Sequence, residues 1–313
     1  MKIILPLALG IFFIWFSIQN ATPQERQELL HNILKANPMW ILISLAFGTL
    51  SHLSRAYRWK FLLDPLGYRP ELRNSFMAVM VGYLANLGIP RSGEMLRAAT
   101  LSSYEKVPFE KGFGTIISER IADLIVLLAI VLCSLAFQTK ILVSFFEANN
   151  INPVLSIGIL MLLVSLGVLV LQFIKKSEWK IALKLREMAK GLLDGMRSIL
   201  KMKKKWAFIF HTIFIWAMYV LMFYVITFTV PETAHAGVGA IMAAFVVGSF
   251  AISATNGGIG VYPVAIGAIL TFYGISRQSG EAFGWIVWGT QTLLVLVLGA
   301  LSFLFLPLLN QKK

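Results

Sequence analysis

The residues with the types and spacing to do chemistry fall in three short groups. In Pro90-Arg91-Ser92-Gly93-Glu94-Met95-Leu96-Arg97, the residues Arg91, Glu94 and Arg97 recur three apart, which on a helix makes one charged ridge. Pro90 and Gly93 fit a chain break at which a new helix begins, with Asn86 shortly before it. A helix N-terminus offers free N–H groups and partial positive charge, which together with Arg91 and Arg97 suits a phosphate. The second group is Ser118-Glu119-Arg120-Ile121-Ala122-Asp123, opening an otherwise apolar run. Glu119 and Asp123 are four apart and share a helical face, and Arg120 can reach Asp123 at three. Ionisable side chains at membrane depth are costly unless they face a partner or a water-filled cavity. Arg91 and Arg97 are the expected partners. The third group is Asn256-Gly257-Gly258-Ile259-Gly260-Val261-Tyr262-Pro263. Its glycines permit close backbone approach, Asn256 adds an amide, and Tyr262 can hydrogen-bond across a cavity. For all three groups the plainer reading is structural, as a charged network and flexible loops that hold broken helices to their neighbours.

Elements long enough to position these groups are legible from hydropathy. A span needs about 20 predominantly apolar residues, and 3–18, 39–57, 115–137, 153–174, 206–230 and 283–309 meet that roughly. The first is read as a retained span rather than a cleaved signal, because Trp15 and Phe16 stand where small residues belong. Two shorter apolar regions, 75–89 and 240–255, each run into a break and turn helical again over 94–104 and 261–275. Basic residues cluster at Arg55, Arg58, Lys60, Arg69 and Arg73, again across 175–205, and at Lys312 and Lys313. Placing these loops in the cytoplasm puts both termini there as well. Arg55, Arg58 and Trp59 then read as interface anchors. Six full spans with two opposed re-entrant or broken hairpins satisfy every basic loop. The hairpins resemble one another through Val81-Gly82 before the first break and Val247-Gly248 before the second, so an inverted repeat is expected. Paired interrupted segments of this kind point to a transporter site. The segment 175–205 has apolar residues at helical spacing among its lysines and arginines, and reads as an amphipathic helix in the cytoplasmic interface or as a solvated connector.

Composition bounds the class. The chain is 58% hydrophobic and only 14% charged, with a mean hydropathy of +0.76, against about 25% charged residues in soluble domains. The expectation is an all-α polytopic protein of the bacterial inner membrane, one transmembrane domain over 1–313. The formal charge of +13 fits cytoplasmic loops and attraction to anionic lipid, and no basic module stands apart to bind nucleic acid. Cys133 is the only cysteine, which excludes an intrachain disulfide and CxxC redox chemistry. Four scattered histidines give no metal-ligand spacing, and no G-x-x-x-x-G-K-[ST] loop cradles a nucleotide. No cofactor is expected.

Arg-Trp near the second span, Asn86…Pro90-Arg91-Ser92-Gly93-Glu94…Arg97, Ser118-Glu119-Arg120-Ile121-Ala122-Asp123 and Gly257-Gly258-Ile259-Gly260 together resemble the lysylphosphatidylglycerol synthase transmembrane-domain (flippase-like) family over essentially the whole chain. The resemblance implies a polytopic lipid-handling protein with a flipping role. With the chain ending at Lys313, the aminoacyl-transfer domain of the bifunctional synthases is not expected and their synthase activity does not carry over. Relatives also often place an acidic residue just after the Gly-Gly-x-Gly break, where this chain has Tyr262-Pro263. The leading reading is a lipid transporter moving an anionic headgroup, with Arg91 and Arg97 on phosphate, Glu119 and Asp123 balancing them or coupling to protons, and 256–260 lining the other half. The alternatives are a membrane enzyme acting on a lipid-linked substrate, with Glu94, Glu119 or Asp123 as acid or base, or a membrane subunit that supports a separate synthase. Expected partners are anionic membrane lipids, with a homo-oligomer or a partner synthase left open. A transporter is favoured over an enzyme.

Overall fold

The computed structural model describes residues 21–89, 91–138, 202–255 and 257–311, with isolated positions 12, 15, 19 and 199. The candidate spans 3–18 and 153–174 and the basic segment 175–205 lie outside them, apart from positions 12, 15, 199 and 202–205. Among the described residues the fold is all-helical.

Local chemistry sets the helix starts. Helix α1 (Pro23–Leu34) opens with a capping box, the Thr22 hydroxyl accepting from the Glu25 amide and the Glu25 carboxylate accepting from the Thr22 amide, with proline in the first turn. Helix α2 (Pro38–Leu63) is capped by Asn37, again with proline in the first turn. The two meet at a 66° bend. Then come α3 (Leu72–Gly88) and α4 (Gly93–Glu105), on either side of the first break. Helix α5 (Phe109–Phe137) carries the acidic pair. After the undescribed stretch follow α6 (Lys205–Ile226), α7 (Val238–Ala254), α8 (Val261–Thr271) and α9 (Arg277–Leu309).

The expected interrupted segments are therefore present as two helical hairpins, α3–α4 and α7–α8. Small residues let their helices approach. A Cβ on Gly82 would lie 2.8 Å from the Gly93 carbonyl oxygen, and one on Gly248 would lie 2.7 Å from the Tyr262 ring. Elsewhere α2 runs antiparallel to α6, with Gly48 against Met222 and the Ser44 hydroxyl donating to the Met222 carbonyl at 2.9 Å. Helix α9 packs along both hairpins: Gly284 meets Pro263 of α8, Gly299 meets Met80 and Leu84 of α3, and Asn310 exchanges amide hydrogen bonds with Asn74.

Two apolar clusters anchor the site from either side. One gathers Phe223, Phe245, Tyr262, Ile266, Phe283 and Val287, the other Trp59, Leu63, Ala98, Leu101 and Ile116. Outside, large apolar side chains such as Leu132, Phe210, Ile213, Phe303 and Leu304 are exposed, more than a water-facing surface tolerates. This is a membrane protein. Among the described residues, Lys205–Thr229 and Arg277–Leu309 are long and apolar enough to cross a bilayer, and the bent pair Pro23–Leu34 and Pro38–Leu66 makes a third if it is one span.

Candidate functional site

Glu119 and Asp123 lie one turn apart on α5, and Thr115 lies one turn earlier on the same face. That face meets α2, where Arg55, Arg58 and Trp59 are spaced to point together, and α4, which supplies Arg97. The result is a buried charge layer. Arg55 Nη1 reaches Asp123 Oδ2 at 2.7 Å, and Arg58 Nη1 reaches Asp123 Oδ1 at 2.8 Å. Arg97 Nη1 reaches Glu119 Oε2 at 2.6 Å, while Arg58 Nε stands 3.7 Å from Glu119 Oε1. Arg58 also donates to the Thr212 hydroxyl at 2.9 Å. Trp59 ties the layer together: its indole N–H donates to Thr115 Oγ1 at 2.8 Å, and the Arg97 guanidinium lies 3.8 Å from its ring centroid. All five charged side chains are buried. Arg58 and Arg97 each keep Nε and Nη2 without a hydrogen bond, Arg55 keeps Nε, and Glu119 keeps Oε1.

The acidic pair thus meets opposite charge, but with partners only partly expected. Arg97 does pair with Glu119. Asp123 is held by Arg55 and Arg58, which the sequence reading placed as interface anchors; a basic run after an apolar span looks like a positive-inside signature until its helix is packed. Arg91 does not join the layer. It sits in the turn before α4 at φ 62°, the left-handed region, and is exposed. Nor do Arg91, Glu94 and Arg97 form one ridge, because Arg91 precedes the helix. Arg120 bonds Glu94 at 2.7 Å rather than Asp123, since it projects from a different face of α5 than the acidic pair. The start of α4 is also already compensated: the Gly93 amide donates to Asn86 Oδ1 at 2.8 Å, and Glu94 occupies the first turn. Attraction for an anion therefore rests on the arginine side chains.

A cavity of about 890 Å³ adjoins this layer, within the roughly 300–1,000 Å³ usual for small-molecule sites. Of the residues read from sequence, Asn86, Arg91, Glu94, Arg120, Asp123, Gly257 and Tyr262 line it. Arg97 and Glu119 do not line it and reach it through Arg58, Asp123 and Arg55. Gly258 and Gly260 shape the second break, where Gly257, Gly258 and Gly260 all take positive φ (66°, 80° and 70°), a path side chains with a Cβ rarely follow. Asn256 lies outside the described residues. Tyr262 is 3% exposed and packed on Gly248, and its hydroxyl makes no hydrogen bond across the cavity to a described residue. The tips of the two hairpins come together here: a Cβ on Gly257 would lie 3.8 Å from Leu87, and the Gly257 carbonyl accepts from Trp288 Nε1 at 2.7 Å.

The sequence reading missed Arg55 as a cavity residue, and with it His52, Tyr83 and Tyr219. The His52 and Tyr83 rings meet at a tilt of 54° with centroids 4.7 Å apart, Tyr83 and Tyr219 hydroxyls stand 3.3 Å apart, and Arg55 Nη2 donates to Tyr219 at 3.4 Å. The available signal was His52 and Arg55 within one apolar segment, spaced three apart. Among the described residues no group of three or more His, Cys, Asp or Glu is arranged to hold a metal ion.

The family model described as "Lysylphosphatidylglycerol synthase TM region" matches residues 3–299. Among curated proteins the chain is similar to a UPF0104 membrane protein of Methanocaldococcus jannaschii, 29% identical over 99 residues, 31% of this chain and 30% of that protein. It is also similar to the glycosyltransferase AglD of Haloferax volcanii, 27% identical over 102 residues, 32% of this chain and 16% of that protein. The chain thus matches less than a third of the length of these relatives. No solved structure matches it significantly.

Proposed function

The chain belongs to the lysylphosphatidylglycerol synthase TM region family, and from that premise we propose that it is a flippase-like lipid transporter of the bacterial inner membrane. Its cavity receives the anionic headgroup of a membrane lipid, of phospholipid or polyprenyl-phosphate type. The observation that carries this reading is the charge balance at the cavity. Arg55, Arg58 and Arg97 are buried against only two carboxylates, Glu119 and Asp123. The Arg120–Glu94 pair is neutral, and Arg91 adds a further cation with no ion pair among the described residues. Buried charge without a counter-charge is costly, so an anionic guest gains what the protein leaves unbalanced. Guanidinium forks are also suited to phosphate oxygens.

In this reading the chain crosses the bilayer six times in full, with both termini in the cytoplasm. The α3–α4 hairpin enters from the cytoplasm and α7–α8 from outside, as halves of an inverted repeat. The distribution of Lys and Arg among the loops supports that orientation, and the likeness of the two hairpins supports the repeat. A second reading, a membrane enzyme acting on a lipid-linked substrate, draws on the similarity to a glycosyltransferase. Against it, all three carboxylates are ion-paired: Asp123 with Arg55 and Arg58, Glu119 with Arg97 at 2.6 Å and Arg58 at 3.7 Å, and Glu94 with Arg120.

Proteoliposomes holding fluorescent anionic lipids, challenged with a membrane-impermeant quencher, test the proposal. Protein-dependent access to the inner-leaflet probe is expected, reduced roughly tenfold by Arg91→Ala, a change at an exposed position outside the buried layer. Failure to move any phospholipid or polyprenyl-phosphate probe overturns it.

A further inference from the structure

A second, much smaller cavity lies within the first hairpin, where α3 and α4 meet α2 and α5. Its volume is about 10 Å³, room for one particle of about the size of a water molecule and too little for a phosphate. Arg55, Tyr83, Asn86, Glu94, Arg97 and Arg120 form its polar wall, and Val79 and Ile116 add apolar surface, beside which charge is poorly screened. Arg55, Tyr83, Asn86, Glu94 and Arg120 also line the large cavity, which is the route by which a small solute exchanges.

What this wall lacks is free acceptors. Arg97 and Arg55 are only 5% and 3% exposed, yet Arg97 keeps Nε and Nη2, and Arg55 its Nε, without a hydrogen bond. Asn86 Oδ1 accepts from the Gly93 amide, and the Asn86 NH2 group has no partner among the described residues. Glu94 is the one carboxylate in the wall, and it is already paired with Arg120. A buried donor left unsatisfied is costly, more so when it carries charge. The charge count points the same way. Arg55, Arg58, Arg97 and Arg120 meet Glu94, Glu119 and Asp123, four cations against three anions. A water molecule can accept from the guanidiniums, but it must place two protons on acceptors that are engaged elsewhere. A small monovalent anion only accepts, and it cancels the surplus.

We propose that this cavity is a binding site for one small monovalent anion, chloride being the abundant case, held as the counter-ion of the buried arginine layer. The inference goes beyond the lipid reading and does not rest on it. Arg91 lines the large cavity and not the small one, so its charge stays available to a guest there.

The test is thermal unfolding of the purified full chain in detergent as sodium gluconate is exchanged for sodium chloride at constant ionic strength. Gluconate is too large for the cavity. The unfolding midpoint is expected to rise by roughly 2–5 °C and to saturate as a single site does, with bromide acting like chloride. Asn86→Asp places a fixed negative charge in the wall while keeping an oxygen for the Gly93 amide, and is expected to lose the chloride response. Crystals of the wild-type chain grown in bromide give a readout that needs no variant: an anomalous peak is expected in contact with Arg55 or Arg97. A midpoint indifferent to the exchange overturns the site and leaves a water in its place. A full chloride response in a folded Asn86→Asp variant, or a bromide peak that is absent or lies elsewhere, overturns it as well.

Discussion

Asp123 bridges two buried arginines at once, so its removal leaves Arg55 without an ion pair and Arg58 with only its longer contact to Glu119, 3.7 Å. Breaking a buried pair by deleting one partner costs about 3–5 kcal/mol, and Asp123→Ala is expected to fall in that range. The midpoint of thermal unfolding in detergent measures it; an unchanged midpoint would mean that water or lipid phosphate already shields those guanidiniums. Arg91 should behave in the opposite way. A residue with a Cβ in the left-handed region costs about 1–2 kcal/mol, and glycine relieves that while losing about 0.5–1 kcal/mol through chain entropy. Arg91→Gly is therefore expected to hold stability level or raise it by about 1 kcal/mol, while weakening binding of an anionic lipid. Stability and binding falling together would make Arg91 a structural residue instead.

Each hairpin depends on contacts that only a glycine allows, and the first one provides its own control. A Cβ at Gly93 would overlap the Gly82 carbonyl oxygen and the Asn86 amide, whereas one at Gly88, five residues earlier, meets nothing within 4 Å. Gly93→Ala is expected to destabilise by about 1–3 kcal/mol, the cost of overpacking, and to abolish translocation. Gly88→Ala is expected to be neutral or stabilising by up to about 1 kcal/mol, from helix propensity. Equal effects of the two, measured by thermal unfolding and probe access, would mean that α3 and α4 do not meet at Gly82 and Gly93. In the second hairpin the same logic runs through Gly248, whose missing side chain is the space that the Tyr262 ring fills.

For the whole molecule the open quantity is which side of the bilayer each hairpin enters. Cysteine labelling decides it, on a Cys133→Ser background, since Cys133 is the only native thiol. Leu72→Cys and Ser103→Cys mark the two ends of the first hairpin, and Val238→Cys and Phe272→Cys those of the second; all four positions are exposed. With right-side-out vesicles and an impermeant maleimide, the first pair is expected to stay unlabelled and the second pair to react. If the two members of either pair behave differently, that hairpin crosses the membrane rather than returning.

The sequence by itself determined the membrane class, because a chain 58% hydrophobic and 14% charged cannot cover itself with polar surface. It also located both breaks to within a few residues, since Gly, Pro and Asn interrupt a helix through backbone geometry that needs no tertiary partner. It picked out Glu119 and Asp123 as groups needing opposite charge, because an ionised group in an apolar run is costly wherever the chain goes. Which arginines supply that charge was decided by tertiary structure. Arg55 and Arg58 lie more than sixty positions from Asp123, and an arginine at a span end is indistinguishable in sequence from one bound for the interior. The same holds for the small cavity that Arg55 and Arg97 line: no local pattern announces a space that exists only where four helices meet. Local propensity fixes where helices begin and stop, whereas charge pairing and cavity lining depend on which faces meet across long sequence separations.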